Sequence, residues 1–184
     1  MQDRELCQNE PAVERRVLLR QWKDSDLEPY AGMNADPTVM EFFPKPLTFA
    51  ESAASLARLR GKIDERGWGL WAVEADGKFA GFTGLAEPKF TAHFTPCVEI
   101  GWRLRKEFWG QGIAFAAAQQ AMTYAFTELK LSELVSFTAQ INLRSRRLME
   151  RLGFSHDAGG DFDHPEIAPE HRLCRHVLYR KRSR

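Results

Sequence analysis

The chain has 184 residues, of which 43% are hydrophobic and 28% charged, with a formal net charge of +1. This length and composition suit one ordinary globular domain, and the near-zero charge gives no field that would attract nucleic acid or a membrane surface. Three scattered cysteines, Cys7, Cys97 and Cys174, form neither a disulfide framework nor a metal pair. With no signal peptide and no apolar segment of membrane-spanning length, they predict a cytoplasmic protein.

The first half of the chain predicts a polar leader followed by helices and strands. Residues 1–12 are expected to be a flexible leader, and residues 13–184 a single domain without repeats or linkers. A capping box, Thr48-x-x-Glu51, opens the longest helix of this half, and Asp76-Gly77 predicts a hairpin turn. The predicted elements are a strand over 13–22, a helix over 24–34, a short helix from Asp36-Pro37, a helix over 48–67, and strands over 69–74 and 79–85.

The second half alternates strands with helices and closes on two strands. Gly153 predicts the end of its last helix, because glycine adopts the left-handed conformation there without strain. The predicted elements are a strand over 97–104, a helix over about 110–129, a strand over 133–139, a helix over 142–152, and strands over 154–156 and 175–179 joined by a long loop. Together the two halves predict one mixed α/β domain.

The most informative stretch lies where the 97–104 strand gives way to a helix: Trp109-Gly110-Gln111-Gly112-Ile113-Ala114. Its two glycines let the backbone approach a ligand closely, and the unpaired N–H groups of a first helical turn attract an anion. The dinucleotide fingerprint fails because Phe115 stands where a small residue is required, and no Walker-type motif occurs. The stretch predicts a main-chain phosphate site, with a helix start that binds no ligand as the alternative.

This stretch resembles the acetyl-CoA loop of the GNAT N-acetyltransferases, V/I-x-x-x-x-Q/R-x-x-G-x-G/A. Leu104 stands at the first position, and Gly112 and Ala114 match the last two. Trp109 replaces Q/R, and Trp-Gly-x-Gly-x-Ala resembles the RimJ/RimL-like branch, which is related to the ribosomal-protein N-terminal acetyltransferases. A second segment, residues 142–154, resembles N-x-x-S…L-G-F of the same family. Two motifs in this order make the resemblance specific, and the order of elements extends it over residues 13–180.

The resemblance implies the GNAT fold, an α/β domain with a mixed, mostly antiparallel sheet of six to seven strands that is flanked by helices and splayed between strands four and five. It implies acetyl-CoA as the acetyl donor, with the pantetheine arm along the main chain of strand four and the pyrophosphate on the amides of residues 110–114. A backbone N–H near Leu104 would polarise the thioester carbonyl, and no metal is expected. The residues implied in cofactor binding are Trp102, Arg103, Leu104, Trp109, Gly110, Gln111, Gly112, Ile113, Ala114 and Asn142.

Acetyl transfer to an amine benefits from a base, because a lysine-like amine with a pKa of about 10.4 is almost wholly protonated at neutral pH. Glu99 is the predicted base. In a regular strand it faces away from Leu104, five residues later, and a bulge would re-aim it. The alternative is a solvent-exposed or ion-paired strand carboxylate, and Glu41, beside the aromatic loop 42–46, is a weaker candidate.

A hydroxyl group can supply the proton that the leaving thiolate takes up. Many GNAT enzymes carry a tyrosine in the segment L-Y-x-x-x-G-F, where this chain has Met149, which cannot donate a proton. The resemblance favours Ser145, one helical turn earlier, as the hydroxyl near the CoA sulfur, held by Asn142. The alternative is that Asn142 is an N-cap and Ser145 only occupies the first turn.

The acceptor side has a weaker signal. Five acids between residues 157 and 171 predict a surface loop, rather than a metal site at His164 and His171, and their charge would favour a cationic substrate. Aromatic residues are expected to wall a pocket, although at least half of them belong to the core. These aromatic residues are Trp22, Phe42, Phe43, Trp68, Trp71, Phe82, Phe90 and Phe94.

These observations predict an acetyl-CoA-dependent N-acetyltransferase that acts by direct transfer in a ternary complex, since no activated Ser/His or Cys/His nucleophile is recognisable. The acceptor is expected to be a primary amine, either a protein N-terminus or a small molecule. The alternative is a GNAT-fold CoA-binding or regulatory module without turnover. Met149, in the place of the usual tyrosine, is compatible with that alternative. A homodimer is compatible with the sequence, which does not specify the oligomeric state.

Overall fold

The computed structural model describes residues 16–183, so the predicted leader 1–12 lies outside the described residues. The strands are β1 (Val17–Arg20), β2 (Leu70–Ala75), β3 (Lys78–Ala86), β4 (Glu99–Leu104), β5 (Glu133–Ala139), β6 (Ser155–His156), β7 (Phe162–Asp163) and β8 (Arg175–Arg182). The helices are α1 (Leu27–Ala35), α2 (Phe49–Arg66), α3 (Ile113–Thr127) and α4 (Leu143–Arg151). Short 3-10 helices precede α1, precede the glycine-containing loop and follow β6.

The strands form one sheet in the order β1-β2-β3-β4-β5-β8-β6, with β7 also pairing β8. Every neighbouring pair is antiparallel except β4 and β5, which run parallel and share the single register pair Glu99↔Val135. The mixed, mostly antiparallel sheet and its splay are therefore confirmed. The described sheet has eight strands rather than six or seven, because the loop before β8 contributes the two-residue β7. Beyond Glu99, one edge of β4 has no partner strand.

Two local signals produce the structure that they predict. Thr48 accepts a hydrogen bond from the Glu51 amide at 3.2 Å, and the Glu51 carboxylate accepts one from the Thr48 amide at 2.7 Å, so the capping box is complete. Asp76 (φ 49°) and Gly77 (φ 78°) both adopt positive φ between β2 and β3. That conformation is the one that a two-residue hairpin turn requires, and it matches the twist of the flanking strands.

Two predicted helix starts differ from the structure. No helix follows Asp36-Pro37, where a single turn closed by Met40 N–H on the Asp36 carbonyl (2.9 Å) gives way to further turns. Helix α3 begins at Ile113 rather than near residue 110. Gly110 (φ 73°) and Gly112 (φ 77°) are left-handed, which is incompatible with a right-handed helix. The motif glycines therefore lie in the loop before the helix.

The helices cover the two faces of the sheet. Alanines of α3 (Ala117, Ala118, Ala121 and Ala125) are fully buried and bring this helix close to the sheet, over Ile100 and Leu104 of β4. On the opposite face, α1 and α2 pack through Tyr30, Leu56 and other apolar residues against Phe82 of β3. Because side chains alternate along a strand, Glu99, Gly101 and Arg103 of β4 face the α1/α2 layer.

Candidate active site

A cleft of about 920 Å³ opens where β4 and β5 splay apart. Its wall includes Ile113, Ala114 and Phe115 of α3, together with Phe82 and Arg103 on the opposite face of the sheet. The cleft therefore passes through the sheet at the splay. We call the α3/α4 end of the cleft the donor side and the α1/α2 end the acceptor side.

The open edge of β4 presents main-chain groups to the cleft. Arg105 donates to the Ala80 carbonyl at 2.9 Å, which fixes the alternation of the antiparallel β3–β4 ladder. By that alternation Trp102 and Leu104 direct their N–H and C=O groups to the open edge, whereas the Arg103 main chain faces Phe82 of β3. The predicted main-chain contacts thus remain available at Trp102 and Leu104, and Arg103 presents only its side chain.

Two side chains already bond carbonyls along this edge. The Trp109 indole donates to the Leu104 carbonyl at 2.9 Å, and the Ser136 hydroxyl donates to the Ile100 carbonyl at 2.9 Å. The N–H groups of Trp102 and Leu104 and the carbonyl of Trp102 are left for a ligand. Trp109, in the place of the usual Gln or Arg, thus ties the glycine-containing loop to the end of β4.

The glycines of that loop border open space. A Cβ atom built on Gly110 or Gly112 would meet nothing within 4 Å. By contrast, Gly81 and Gly84 of β3 also have positive φ, but a Cβ on either would lie within 2.2 Å of a backbone oxygen. The β3 glycines serve packing, whereas the loop glycines leave room beside the first turn of α3. The N–H groups of that turn have no intrahelical acceptor and can bind an anion.

Of the remaining loop residues that were predicted to bind the cofactor, some line the cleft and one does not. Ile113 and Ala114 line the cleft, although the Ile113 side chain is also part of the core. Gln111 does not line the cleft, because its side-chain amide donates back to the Glu107 carbonyl. Sequence reasoning did not identify Arg144, Arg147 and Arg151, which line the cleft beside this loop. The Arg144 guanidinium lies 4.5 Å from the centre of the Trp109 ring.

Glu99 lines the cleft at the point where β4 and β5 still touch. Its carboxylate is half-buried and makes no hydrogen bond or ion pair with any residue between 16 and 183, so the ion-paired alternative has no support there. Burial raises the pKa of Glu99 to about 7, and the positive charge of Lys62 on α2 opposes the shift. A carboxylate with this pKa exchanges a proton readily at neutral pH.

The start of α4 brings Asn142 and Ser145 to the cleft. The Asn142 side chain accepts from the Ser145 amide at 3.2 Å and donates to Thr138 Oγ1 at 3.0 Å, so Asn142 is the N-cap. The Ser145 hydroxyl lines the cleft and has no partner within the described chain. Met149 is 1% exposed and packs in the core, so its side chain does not reach the cleft.

The acceptor side is built from segments that are distant in sequence. Of the predicted aromatic residues, Phe42, Phe43 and Phe82 line the cleft, whereas Trp22 and Phe94 are buried in the core. Sequence reasoning also missed cleft-lining residues of β5, of β8 and of the loop before β8, since no motif marks them. These residues are Phe137, His164, Glu166, Ile167 and His176.

The acidic loop does not present a negative surface to the cleft. Asp157 pairs with Arg180 at 2.7 Å, Asp161 with His156 at 2.9 Å, and Asp163 with Arg175 at 3.4 Å. Only Glu166 of these five acids lines the cleft, so most of the acidic side chains of this loop do not face a ligand bound there. Glu41 does not line the cleft either, and its carboxylate lies 3.9 Å from Arg144.

Residues 16–183 contain neither a metal-binding cluster nor a membrane-spanning helix. No group of three or more His, Cys, Asp or Glu side chains is arranged to hold a metal ion. None of the helices in this range is both long enough and apolar enough to cross a membrane.

The loop, the open strand edge and the splayed sheet together define an acetyltransferase site, and comparison with known proteins agrees. Residues 16–155 match the acetyltransferase (GNAT) domain, so the chain belongs to the GNAT acetyltransferase family. In sequence it is 34% identical over 131 residues to the FsC-acetyl coenzyme A-N(2)-transacetylase of Aspergillus fumigatus. That match covers 67% of this chain and 56% of the fungal protein.

Further relatives agree in sequence and fold. The spermidine N(1)-acetyltransferase of Escherichia coli K12 is 30% identical over 141 residues, covering 76% of this chain and 73% of that protein. An acetyltransferase structure from Agrobacterium tumefaciens superposes with a TM-score of 0.72 at 24% identity, over 99% and 100% of the two chains. RimL, a ribosomal alpha-N-protein acetyltransferase solved with coenzyme A, superposes with a TM-score of 0.73 at 17% identity, over 94% and 96%. These two superpositions show that the chains share one fold.

Proposed function

We propose that the protein transfers the acetyl group of acetyl-CoA to a primary amine by direct attack within a ternary complex. The observation that carries this proposal is the cleft at the splay, which joins an open β4 edge and an anion-binding loop to an unpaired, half-buried Glu99. A donor bound on one side and an amine bound on the other meet at this strand. Holding two reactants in this way removes much of the entropic barrier of a bimolecular reaction.

The donor is expected on the α3/α4 side. The amides of the loop and of the first α3 turn would bind the pyrophosphate, and the arginines of α4 that line the cleft would add positive charge beside it. The pantetheine arm would bond the free main-chain groups of Trp102 and Leu104 in the manner of an added strand. Asn142, held as the N-cap of α4, lies on the same wall.

The chemical step needs one proton removed and one delivered. The amine nitrogen attacks the thioester carbonyl carbon, its excess proton passes to Glu99 directly or through water, and the free N–H of Leu104 or Trp102 stabilises the oxyanion. The C–S bond then breaks, and the thiolate receives a proton from Ser145 or from water. The products are an acetylated amine and free CoA.

A covalent acetyl-enzyme is not needed. Cys97 and Cys174 do not line the cleft, and burial raises the pKa of the Cys97 thiol to about 11, which leaves very little reactive thiolate at neutral pH. Direct transfer therefore fits the residues that the cleft presents.

The test is the release of free CoA thiol from acetyl-CoA in the presence of a panel of primary amines, with a calorimetric titration of CoA in parallel. The expected result is CoA binding together with amine-dependent thiol release and acetylated product detected by mass spectrometry. CoA binding without turnover on any amine would instead identify a binding or regulatory module.

A further inference from the structure

Arg103 is a cationic side chain on the acceptor side of the cleft, on the face of the sheet opposite to the arginines of α4. Arg103 is half-buried on the acceptor side, with its guanidinium 3.7 Å from the centre of the Phe43 ring and 5.3 Å from that of Phe82. Its Nη1 donates to the Asn34 side-chain oxygen at 2.8 Å. It forms no ion pair with any carboxylate in the range 16–183. A buried charge without a partner is costly, so an unpaired arginine in a ligand cleft suggests a ligand.

The unused donors of Arg103 lie on one edge of the guanidinium. Nε is enclosed and has no hydrogen-bond partner, and Nη2 also makes no bond within the described chain but is not enclosed. The Nε/Nη2 edge is one that a carboxylate can bind with two parallel hydrogen bonds. Phe43 lies over the face of the guanidinium and is itself 37% exposed, so the in-plane Nη2, which is not enclosed, is the donor that a ligand in the cleft meets.

Arg103 and Glu99 stand at the two ends of one groove. They lie on the same face of β4, with Gly101 between them, and a Cβ on Gly101 would meet nothing within 4 Å. The floor of the groove is therefore open. Four residue-to-residue steps along the strand put their Cα atoms about 13 Å apart. One acceptor molecule can thus contact a base at one end and a fixed cation at the other.

We propose that the acceptor is a small amine that also carries a carboxylate, which Arg103 binds while the amine lies beside Glu99. This inference rests on the proposed acetyl transfer and narrows its substrate class. The separation of the two residues suits an acceptor whose amine and carboxylate are several bonds apart, as in an ω-amino acid or a short peptide. A polyamine, by contrast, would bring a second cation toward Arg103, although a spermidine acetyltransferase is among the relatives.

The experiment compares matched acceptor pairs, each an ω-amino acid and its carboxamide, over a series of chain lengths, with spermidine as the polycation. Wild-type protein is expected to favour the acid over the amide by ~10-fold or more in kcat/KM, chiefly through KM, at its preferred length. Arg103→Gln should abolish this preference by lowering kcat/KM for the acid by ~10-fold more than for the amide. Arg103→Lys, which keeps the charge and loses the planar fork, should restore part of it.

Arg58→Gln is the matched control, because it removes the same charge from an exposed position of α2 outside the cleft. A titration with CoA shows that each variant retains the donor site. If wild-type protein acetylates amines without preferring the acid at any length, the inference is wrong and the proposed function stands. If Arg103→Gln lowers kcat/KM equally for acid and amide, Arg103 only holds Asn34 and Phe43. If no amine is acetylated, the proposed function itself fails.

Discussion

The two sides of the cleft are built by different means. The donor side is largely main chain from one continuous stretch, in which the edge of β4, the left-handed glycines and the first turn of α3 follow one another directly. The acceptor side is side chains from segments that the fold gathers from distant parts of the chain, including Phe43, Arg103 and His164. Main-chain recognition tolerates most substitutions, whereas side-chain recognition changes with each one. The fold can therefore keep one donor and vary its acceptor.

Glu99 lies on the boundary between the two sides, and of the changes considered its substitution is expected to lower turnover the most. Glu99→Gln keeps the shape and abolishes the basicity, so turnover should fall by ~10²-fold or more while CoA affinity is retained. Because burial raises the pKa of Glu99 to about 7, wild-type kcat/KM should rise as the pH approaches 7. The variant should lose that inflection in its pH–rate profile.

Glu65→Gln serves as the control, since Glu65 is exposed on α2 and outside the cleft. A Glu99→Gln variant with the wild-type rate at every pH would show that Glu99 is structural. Another group would then have to remove the proton of the amine.

The donor side is tested most directly by charge at the loop. Gly112→Asp and Gly112→Asn have nearly the same shape, and both residues tolerate positive φ better than other side chains. Only the aspartate places a negative charge where the pyrophosphate is expected. CoA should therefore bind roughly 30-fold more weakly to the Asp variant than to the Asn variant in a calorimetric titration. Equal CoA affinities in two folded variants would show that the pyrophosphate does not bind at this loop.

The same contrast explains what sequence reasoning could predict. The loop before α3 and the N-cap of α4 were predictable because their backbone conformations favour particular residue types, as at Gly112 and at Asn142. The β2–β3 hairpin followed from its turn residues, Asp76-Gly77, whereas the arrangement of the whole sheet was implied by the resemblance to the GNAT fold. The start of α3 was misplaced because glycine permits both helical and left-handed backbone.

The acceptor side was not predictable in the same way. Arg103 occupies an ordinary strand position, and only the register of β3 and β4 shows that its side chain, rather than its main chain, faces the cleft. The acids of the 157–171 segment appeared to form a negative surface until the structure paired three of them with Arg180, His156 and Arg175. Ion pairing between distant segments leaves no local pattern in a sequence.

Ser145 tests whether α4 contributes to chemistry as well as to CoA binding. Ser145→Ala removes an unpaired hydroxyl from the cleft and is expected to lower kcat by ~10-fold, with a smaller effect on the KM of the amine. Ser155→Ala, at an exposed position of β6, is the control. An unchanged kcat, measured where chemistry limits the rate, would assign thiolate protonation to water. Met149→Tyr should chiefly destabilise the fold, because Met149 is packed in the core.

The smallest expected effect is on stability, and it comes from the same burial that adapts Glu99 to catalysis. The pKa of Glu99 is about 7 in the folded protein against a reference value of 4.5, so the folded state holds this proton more tightly than the unfolded state. Ionisation therefore costs stability progressively as the pH rises from about 4.5 to about 7, and the full cost persists above that range. Glutamine never ionises, so Glu99→Gln should melt several degrees above wild type near pH 8 and close to it near pH 4. Thermal melts without ligand would measure this difference, in which the contributions of all other carboxylates cancel. A difference that does not change with pH would mean that the carboxylate is well solvated, and Glu99 would then lack the raised pKa that suits a base at neutral pH.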